Sequence, residues 1–261
     1  MEETLARYEI AIRTGLAFLS GSGLDPTVCD QIIFDFRNRA FVWHAHARPD
    51  PELGPTLPTL TVMVEEPRDT RPEALLTHRC LSALAFCFDE AVEPIFSAVS
   101  RRGPFDRAFA RQTGAWHYAE SGHTAFSELV ARDDEHLDLA MALYREGRAS
   151  ESPFYRFLAY WNALDVVFDN DGAQRNKFIR AAPEQFPSWF TYVPERPADW
   201  AEYFKGSSRN AVAHAIRPQV KPVLDPDHPE DRQRLKSDSD VLGRMVRHKV
   251  KEHWPYPVYT R

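Results

Sequence analysis

The pattern of apolar and polar residues divides the chain into an early part with strand-like patterns and a later part with helical ones. Residues 32–43 are rich in aromatic and β-branched side chains, and residues 60–65 alternate. These patterns predict strands that can pair across the proline-rich loop of residues 48–58. Apolar residues then recur at helical spacing over residues 73–99, which predicts a long helix that Pro94 kinks or ends.

From Gly122 onward the pattern is almost wholly helical. One helix is predicted to end near Gly147, because glycine is favoured just beyond the last helical turn. The next helix, Phe154–Phe168, follows a serine-proline start and is apolar nearly all round, which is typical of a central helix in a bundle. Three further helices complete the pattern: residues 173–181, a helix capped by Asp199, and a polar final helix over residues 229–254.

These elements predict an α+β protein that is mainly α. Residues 1–115 form the expected N-terminal α+β segment, and residues 122–254 form the expected helical domain. The first segment has no function that its sequence indicates.

Composition narrows the class of protein. A hydrophobic share of 43% and a charged share of 27% are ordinary for a soluble domain. No apolar run is long enough to span a membrane, and the acidic N-terminus does not resemble a secretory signal. The three cysteines, Cys29, Cys80 and Cys87, lack metal-type spacing, and we expect neither a metal nor a cofactor. Cys80 and Cys87 lie seven apart in an apolar helical pattern and are expected to be core thiols, in a reducing cytoplasm. The formal net charge of −6 argues against a broad nucleic-acid footprint but is compatible with a local basic cleft.

The candidate chemistry lies in the run Ser207–His214, which contains the pattern Arg209-Asn210-x-x-x-His214. On a helix, Asn210 and His214 share a face, and the long side chain of Arg209 can bend toward the imidazole. His214 can exchange a proton with a ribose 2′-OH or a leaving oxygen, Arg209 can stabilise phosphoryl charge, and Asn210 can hold the imidazole or a substrate oxygen. If Ser208 caps a helix start, backbone N–H groups would also face a phosphate.

Such parts can cleave an RNA phosphodiester without a metal ion and leave a 2′,3′-cyclic phosphate. The pattern is short, however, and a helix histidine satisfied by its neighbours beside a surface arginine is its more frequent cause.

A family resemblance strengthens the functional interpretation. The run Ser152–Asp165, followed about 45 residues later by Arg209–Ala215, resembles the HEPN superfamily, and within it the branch of methylamine-utilisation J proteins and ApeA-type domains. The resemblance covers roughly residues 122–254. It implies a bundle of four or five helices, a homodimer in which two motifs meet, and metal-independent endoribonuclease activity in toxin–antitoxin or antiphage systems.

Carried over residue by residue, the resemblance makes Arg209, Asn210 and His214 the catalytic candidates. Asp165, with Asn162 one turn earlier, is the supporting candidate on the central helix, and Ser208 supports the motif from its start. RNA is the expected substrate, and an antitoxin or other protein partner is possible. The alternative is a non-catalytic accessory protein that binds RNA, a nucleotide or a partner protein.

Two other groups of residues admit a functional or a structural interpretation. Arg37 and Arg39 would share one face of the first predicted strand, where they would contact phosphates or simply face solvent. Trp189, Phe190 and Tyr192 lie in a proline-rich loop, where they would either anchor the loop on the bundle or stack on a base.

Overall fold

The computed structural model describes two compact units, one of residues 1–133 with 256–261 and one of residues 134–255. The predicted boundary between residues 115 and 122 stays a prediction, because of the residues around it only 117–119 are described. The described residues are 6–14, 16–20, 27–28, 31–44, 57–65, 69–100, 117–119, 134–193, 196–206, 224–225 and 228–254.

The first unit is built on an antiparallel sheet of five strands in the order β4-β5-β6-β1-β7. A second sheet has the order β3-β2-β8, in which β2 pairs parallel with β8 and antiparallel with β3. The strands are β1 (Arg7–Thr14), β2 (Leu16–Ser20), β3 (Thr27–Val28), β4 (Gln31–Phe36), β5 (Arg39–His44), β6 (Thr59–Met63), β7 (Val92–Ser100) and β8 (His117–Ala119). The antiparallel pairing of β5 with β6 confirms the predicted partnership across the proline-rich loop.

The segment predicted as one strand over residues 32–43 is instead a β-hairpin. Arg37 and Asn38 form its turn with φ of 51° and 60°. A two-residue turn with two left-handed residues matches the twist of an antiparallel pair, and asparagine tolerates that backbone well. The expectation that Arg37 and Arg39 share a strand face was therefore wrong, since Arg37 lies in the turn and Arg39 opens β5.

The helix predicted to reach residue 99 ends much earlier. Helix α1 spans Arg71–Phe88, and Asp89 terminates it with a left-handed backbone, φ 54°. The residues beyond form β7, which pairs with β1, and the register shifts between Ala11 and Ile12, opposite Pro94. Because proline cannot donate to a ladder, it is accepted at such an irregularity. Tertiary pairing with β1 thus overrides the helical spacing of residues 92–99.

Residues 80–88 of helix α1 are all buried. Cys80 and Cys87 are both buried and neither forms a disulfide, as predicted for core thiols. Burial, together with the neighbouring Cys87, raises the pKa of the Cys80 thiol and keeps it protonated. At the start of the same helix the buried Glu73 accepts a hydrogen bond from Arg39 Nη2 at 3.2 Å, so α1 is tied to the sheet by an ion pair.

The second unit is helical throughout its described elements. It contains α2 (Glu135–Ala149), α3 (Pro153–Val167), α4 (Gly172–Gln185), a 3-10 helix (Pro187–Phe190), α5 (Trp200–Tyr203) and α6 (Pro229–His253). Pro153 and Pro229 each open their helix, as the sequence predicts. Within the part of the chain that the structure describes, no helix is both long and apolar enough to cross a membrane.

Helix α3 lies at the centre of this unit and packs against both α2 and α6. Arg156 near its start faces Asp240, and Phe168 just beyond its end contacts His253, so α3 and α6 run parallel. Helix α2 runs opposite to α6, because its capping residue Asp134 accepts a hydrogen bond from Trp254 Nε1 at 2.7 Å. This arrangement places the amino-terminal ends of α3 and α6 at the same end of the bundle.

The ring of Tyr160 on α3 leaves no room for a side chain at two glycines of the neighbouring helices. A Cβ atom at Gly147 would lie 2.4 Å from the Tyr160 ring, and one at Gly243 would lie 2.9 Å from it. The prediction that Gly147 ends its helix was wrong: α2 continues to Ala149, and Ser150 follows as its cap. Packing explains the glycine at position 147, since only a residue without a side chain leaves room for the Tyr160 ring.

Candidate functional site

The predicted catalytic residues and the supporting residues fall on two different parts of the chain. Arg209, Asn210, His214 and Ser208 lie outside the described residues. Asp165 and Asn162 lie on α3, three positions apart, and can be placed. The described part of the candidate site consists of α3 and the elements that precede and follow residues 207–223 in sequence.

Asp165 forms an ion pair with Arg175 of α4. Its side chain is 25% exposed and that of Arg175 is 11% exposed, so the pair is sheltered from solvent on one side. Such a pair is stronger than one on the open surface, and removal of either partner leaves a partly buried charge. Asp165 is thus held by a specific cation.

Arg175 is fixed by more than this ion pair. Its guanidinium lies 4.3 Å from the centroid of the Trp161 ring, which is cation–π geometry. Its Nε and Nη2 also donate to Asn176 Oδ1 at 3.3 and 3.2 Å. The result is a planar cation clamped over an aromatic ring beside Asp165, at the junction of α3 and α4.

A tight turn brings α4 back along α3. Asp169 and Asn170 have left-handed backbones, with φ of 50° and 61°, and Asp171 then caps α4 by accepting from Ala173 N and Gln174 N. Hydrogen bonds from the backbone and side chain of Gln174 lower the pKa of Asp171. The sequence predicts a turn at these residues. The geometry of that turn, which the sequence does not predict, places Arg175 opposite Asp165.

Asn162 is exposed on α3, one turn before Asp165. Residues three apart on a helix are neighbours on its surface, so Asn162 and Asp165 present an amide and a carboxylate on adjacent parts of one face. The predicted supporting residues are therefore accessible together, whereas Trp161 beside them is buried.

Helix α5 anchors the chain just before residue 207. Asp199 caps it by accepting from Ala201 N and Glu202 N, as predicted, and also pairs with Arg180 of α4 at 3.0 Å. Partial burial raises the pKa of Asp199, but the hydrogen bonds from Glu202, Arg180 and Ala201 outweigh it and leave that pKa lowered.

The other side of α5 is held by the bundle core. Phe204 is fully buried and lies 6.4 Å from Phe157 of α3, measured between ring centroids. The Tyr203 hydroxyl donates to the buried carboxylate of Asp238 on α6, 3.1 Å from its Oδ2. The chain that leads into the Arg209–His214 motif is thus fixed against both α3 and α6.

Aromatic residues of the loop after α4 serve as anchors. Trp189 stacks on Phe186 with centroids 4.0 Å apart and packs edge-on against His248 of α6 at 5.6 Å. These contacts support loop anchoring for Trp189. Tyr192 differs, since it is 79% exposed and remains open to solvent.

Sequence reasoning missed Arg175, Asp238 and Tyr203. Asp238 and Tyr203 lie on different helices 35 residues apart, and no local spacing announces their contact. The pairing of Arg175 with Asp165 could have been predicted, because these two oppositely charged residues lie ten positions apart on either side of a predicted turn. Among the described residues, no group of three or more histidine, cysteine, aspartate or glutamate side chains is arranged to hold a metal ion.

The second unit is therefore a helical bundle with a polar face on its central helix. Residues 140–251 match the family model of the methylamine utilization protein MauJ, so this part of the chain is MauJ-like. The match includes α3, α4, α5 and most of α6, together with the Arg209–His214 motif. No curated protein and no solved structure matches the chain.

Proposed function

We propose that the chain is a metal-independent endoribonuclease of the HEPN type that cleaves single-stranded RNA. The observation that carries the proposal is the position of the motif. Arg209, Asn210 and His214 lie within the MauJ-like residues 140–251, shortly after a helix that is anchored to the bundle core. A short Arg-x4-His pattern in an unrelated context would carry little weight, whereas this one accompanies the matching central helix.

In the proposed reaction the ribose 2′-OH attacks the adjacent phosphorus. His214 accepts the hydroxyl proton while the new O–P bond forms, and the bond from phosphorus to the 5′ oxygen breaks. A protonated His214 from a second copy donates a proton to the leaving 5′ oxygen. Arg209 stabilises the charge on the phosphoryl oxygens, and Asn210 orients the imidazole or a substrate oxygen. The products are a 2′,3′-cyclic phosphate and a 5′-hydroxyl end.

Ser208 and α3 supply the supporting groups in this proposal. Ser208 is the residue that would cap a helix carrying the motif. Asp165 acts as a positioning residue through Arg175, because the carboxylate holds that guanidinium over Trp161. Asn162, exposed beside Asp165, offers an amide to the RNA chain or to the second copy.

A homodimer fits this chemistry, because one histidine cannot be base and acid in the same step. A cytoplasmic toxin or antiphage role, with an antitoxin or other partner that restrains it, follows from the same proposal, since unrestrained RNA cleavage harms the cell that contains it.

The test is incubation of the purified full chain with single-stranded RNA in EDTA, followed by analysis of the product ends. We expect cleavage with 2′,3′-cyclic phosphate ends. His214→Ala and Arg209→Ala should each lower the rate by about 10²-fold or more, because each removes proton transfer or charge stabilisation. His136→Ala is a matched control, as its side chain is exposed and outside the motif.

Cleavage that persists in both motif variants would overturn the site assignment. Wild-type protein that binds RNA without cutting any sequence would overturn the catalytic proposal and favour the accessory-protein alternative.

A further inference from the structure

One aromatic side chain of the loop between α4 and α5 faces solvent, whereas its aromatic neighbours pack on other rings. Trp189 stacks on Phe186, and Phe190 lies 4.6 Å from Trp200 of α5, measured between ring centroids. Tyr192 is 79% exposed and forms no ring contact or hydrogen bond with a described residue. Packing thus accounts for the other rings and not for Tyr192.

The backbone that carries Tyr192 is held by hydrogen bonds on both sides. Val193 N donates to the backbone oxygen of Phe190 at 3.3 Å, which closes a turn with Thr191 and Tyr192 at its corners. The Thr191 hydroxyl donates to the backbone oxygen of Ser188 at 3.0 Å, and Val193 is buried. A tyrosine presented in this way loses little conformational freedom when a flat group binds to its ring.

Two cations without partners lie in the same region. Arg196 is exposed four positions after Tyr192, and Lys177 is exposed on α4, one turn before Arg180. The ion pair of Arg180 with Asp199 at 3.0 Å brings this part of α4 to the start of α5, and Arg196 is only three residues from Asp199, at most about 11 Å along the chain. Within the described residues, neither Lys177 nor Arg196 forms an ion pair or a hydrogen bond.

The acidic residues of this region leave the two cations uncompensated. Asp199 caps α5 and is already in an ion pair, and Glu202 lies 3.9 Å from Lys205. Glu184, exposed on α4, is the remaining carboxylate among the described residues of the range 177–206. One uncommitted carboxylate thus stands against two uncommitted cations.

The loop is joined to the chain that leads into the motif. Phe190, two residues before Tyr192, contacts Trp200 at the start of α5, and Arg209 follows nine residues after Trp200. A ligand held at Tyr192 is therefore bound on the segment that precedes the proposed catalytic residues.

We propose that Tyr192 is a platform on which one base of single-stranded RNA stacks, with Arg196 and Lys177 available to neighbouring phosphates. Every base offers a π face to an aromatic ring, and cations beside the ring attract the backbone. An apolar protein partner would need further exposed apolar side chains, but Tyr192 is the one large apolar residue of the described range 196–206 and of 186–193 that is mainly exposed. The inference rests on the proposed function, which makes single-stranded RNA the substrate.

The test is equilibrium binding of two eight-unit chains to the full-length protein at low salt. One is 2′-O-methylated oligouridylate, and the other is an abasic chain of tetrahydrofuran phosphates. Both lack a 2′-OH that could attack, so binding is measured independently of cleavage. The wild type should bind the oligouridylate about tenfold or more tightly than the abasic chain, because stacking needs a base.

The decisive variant is Tyr192→Ala, which should weaken binding of the oligouridylate by about tenfold and leave binding of the abasic chain within about twofold. Tyr192→Phe should bind like the wild type, since it keeps the ring and loses only the hydroxyl. Tyr155→Ala is the matched control, because it removes a tyrosine that is 72% exposed outside this loop. It should leave the binding of both chains unchanged.

Arg196→Gln should weaken binding of both chains to a similar extent, about threefold, because a phosphate contact does not depend on a base. Lys236→Gln is its control, since it removes one exposed cation of α6 outside this region. Every variant should keep the thermal midpoint of the wild type, as all the substituted side chains are exposed.

Three results separate this inference from the proposed ribonuclease. Oligouridylate binding that is unchanged in Tyr192→Ala, or lost equally in Tyr192→Phe, would overturn the stacking role and leave the catalytic proposal standing. Base-dependent binding through Tyr192 by a protein that cuts no RNA would support the stacking role and overturn the catalytic proposal. A wild type that binds neither chain would overturn both.

Discussion

At the scale of single residues, Tyr160 determines how closely three helices of the second unit approach. Its ring is buried, stacks obliquely on Tyr144 with centroids 5.4 Å apart, and faces glycines on α2 and α6. A large side chain on the central helix is thus accommodated by the smallest residue on each neighbour. The ring cannot move away from an added group, because its surroundings are already filled.

Gly147→Ala should therefore destabilise the protein, although alanine is the better helix former. The gain in helix propensity is about 0.5–1 kcal/mol, whereas overpacking costs about 1–3 kcal/mol. The new Cβ would lie 2.4 Å from the buried Tyr160 ring, so the clash should prevail. Urea unfolding followed by circular dichroism should show a lower midpoint.

Gly206→Ala is the control for that substitution, because a Cβ at Gly206 would meet no atom within 4 Å. It should leave the midpoint nearly unchanged. A Gly147→Ala protein as stable as the wild type would show that the Tyr160 ring does not have the position described.

Residue-scale roles were predictable where they depend on neighbours in sequence. Asp199 was predicted as a cap from its place before an apolar run, and the structure confirms it. The contact between Asp238 and Tyr203 was not predictable, because a buried carboxylate on a polar-looking helix gives no local signal of its partner. The ion pair of Asp165 with Arg175 was only partly predictable: the turn between them is visible in the sequence, but the geometry that brings them together is not.

At the scale of elements, the ends of α2 and α6 are joined through one carboxylate. Asp134 accepts from Leu137 N at 3.0 Å as the N-cap of α2 and from Trp254 Nε1 at 2.7 Å beyond the end of α6. The backbone hydrogen bond from Leu137 has the largest effect and lowers the pKa of Asp134. Burial opposes it, and the hydrogen bond from the Trp254 indole lowers the pKa further.

Asp134→Ala should cost about 1–2 kcal/mol of stability, because it removes a helix cap and an indole partner together. Asp134→Asn should retain most of the cap and lose the charge. The measurement is urea unfolding at neutral pH, followed by circular dichroism. Trp254→Phe is the control that removes only the indole hydrogen bond.

The stability difference between the wild type and Asp134→Asn should depend on pH. The folded pKa of Asp134 lies below its usual value of 3.8. Stability from the charged form is therefore fully present above the unfolded pKa and is lost as pH falls through the folded pKa. The advantage of the wild type over Asp134→Asn should shrink from about pH 5 downward. An advantage that stays constant over this range would contradict the assignment.

The ends of helices and strands were predictable where a capping residue or a proline marks them. They were not predictable where pairing with a distant strand determines the structure. Ser152 and Pro153 announce the start of α3, and the structure begins it there. Residues 92–99 keep helical spacing in the sequence but form β7, because β1 offers a ladder and Asp89 has already ended α1. The polar appearance of α6 likewise hides its buried face, which includes Leu235, Leu242 and Val246.

At the scale of the whole molecule, the chain consists of a unit organised by an antiparallel sheet and a unit organised by helices. The sequence predicts this division in kind, because strand-like alternation and helical spacing occupy different parts of it. It does not predict the parallel course of α3 and α6, because contacts between residues far apart in sequence determine it. The MauJ-like region falls entirely in the helical unit.

The helical unit has the properties of an independent folding unit, which leads to the last prediction. Its core is formed by its own helices: α3 packs on α2 and α6, with Phe157, Leu164, Leu242 and Met245 buried within the unit. Its two ends are linked by the hydrogen bond from Trp254 to Asp134. A fragment of residues 130–255, at about 126 residues, is well within the size at which a single core suffices.

We expect this fragment to be monodisperse, strongly helical by circular dichroism and cooperative in thermal unfolding. The Gly147→Ala substitution should lower its midpoint as it does in the full chain, because Tyr160, Gly147 and Gly243 are all present in it. A fragment that binds a hydrophobic dye and melts without a transition would show that its helices need the first unit to pack. A cooperative fragment would mean that the MauJ-like region carries its own fold, and that the motif can be studied on that scaffold alone.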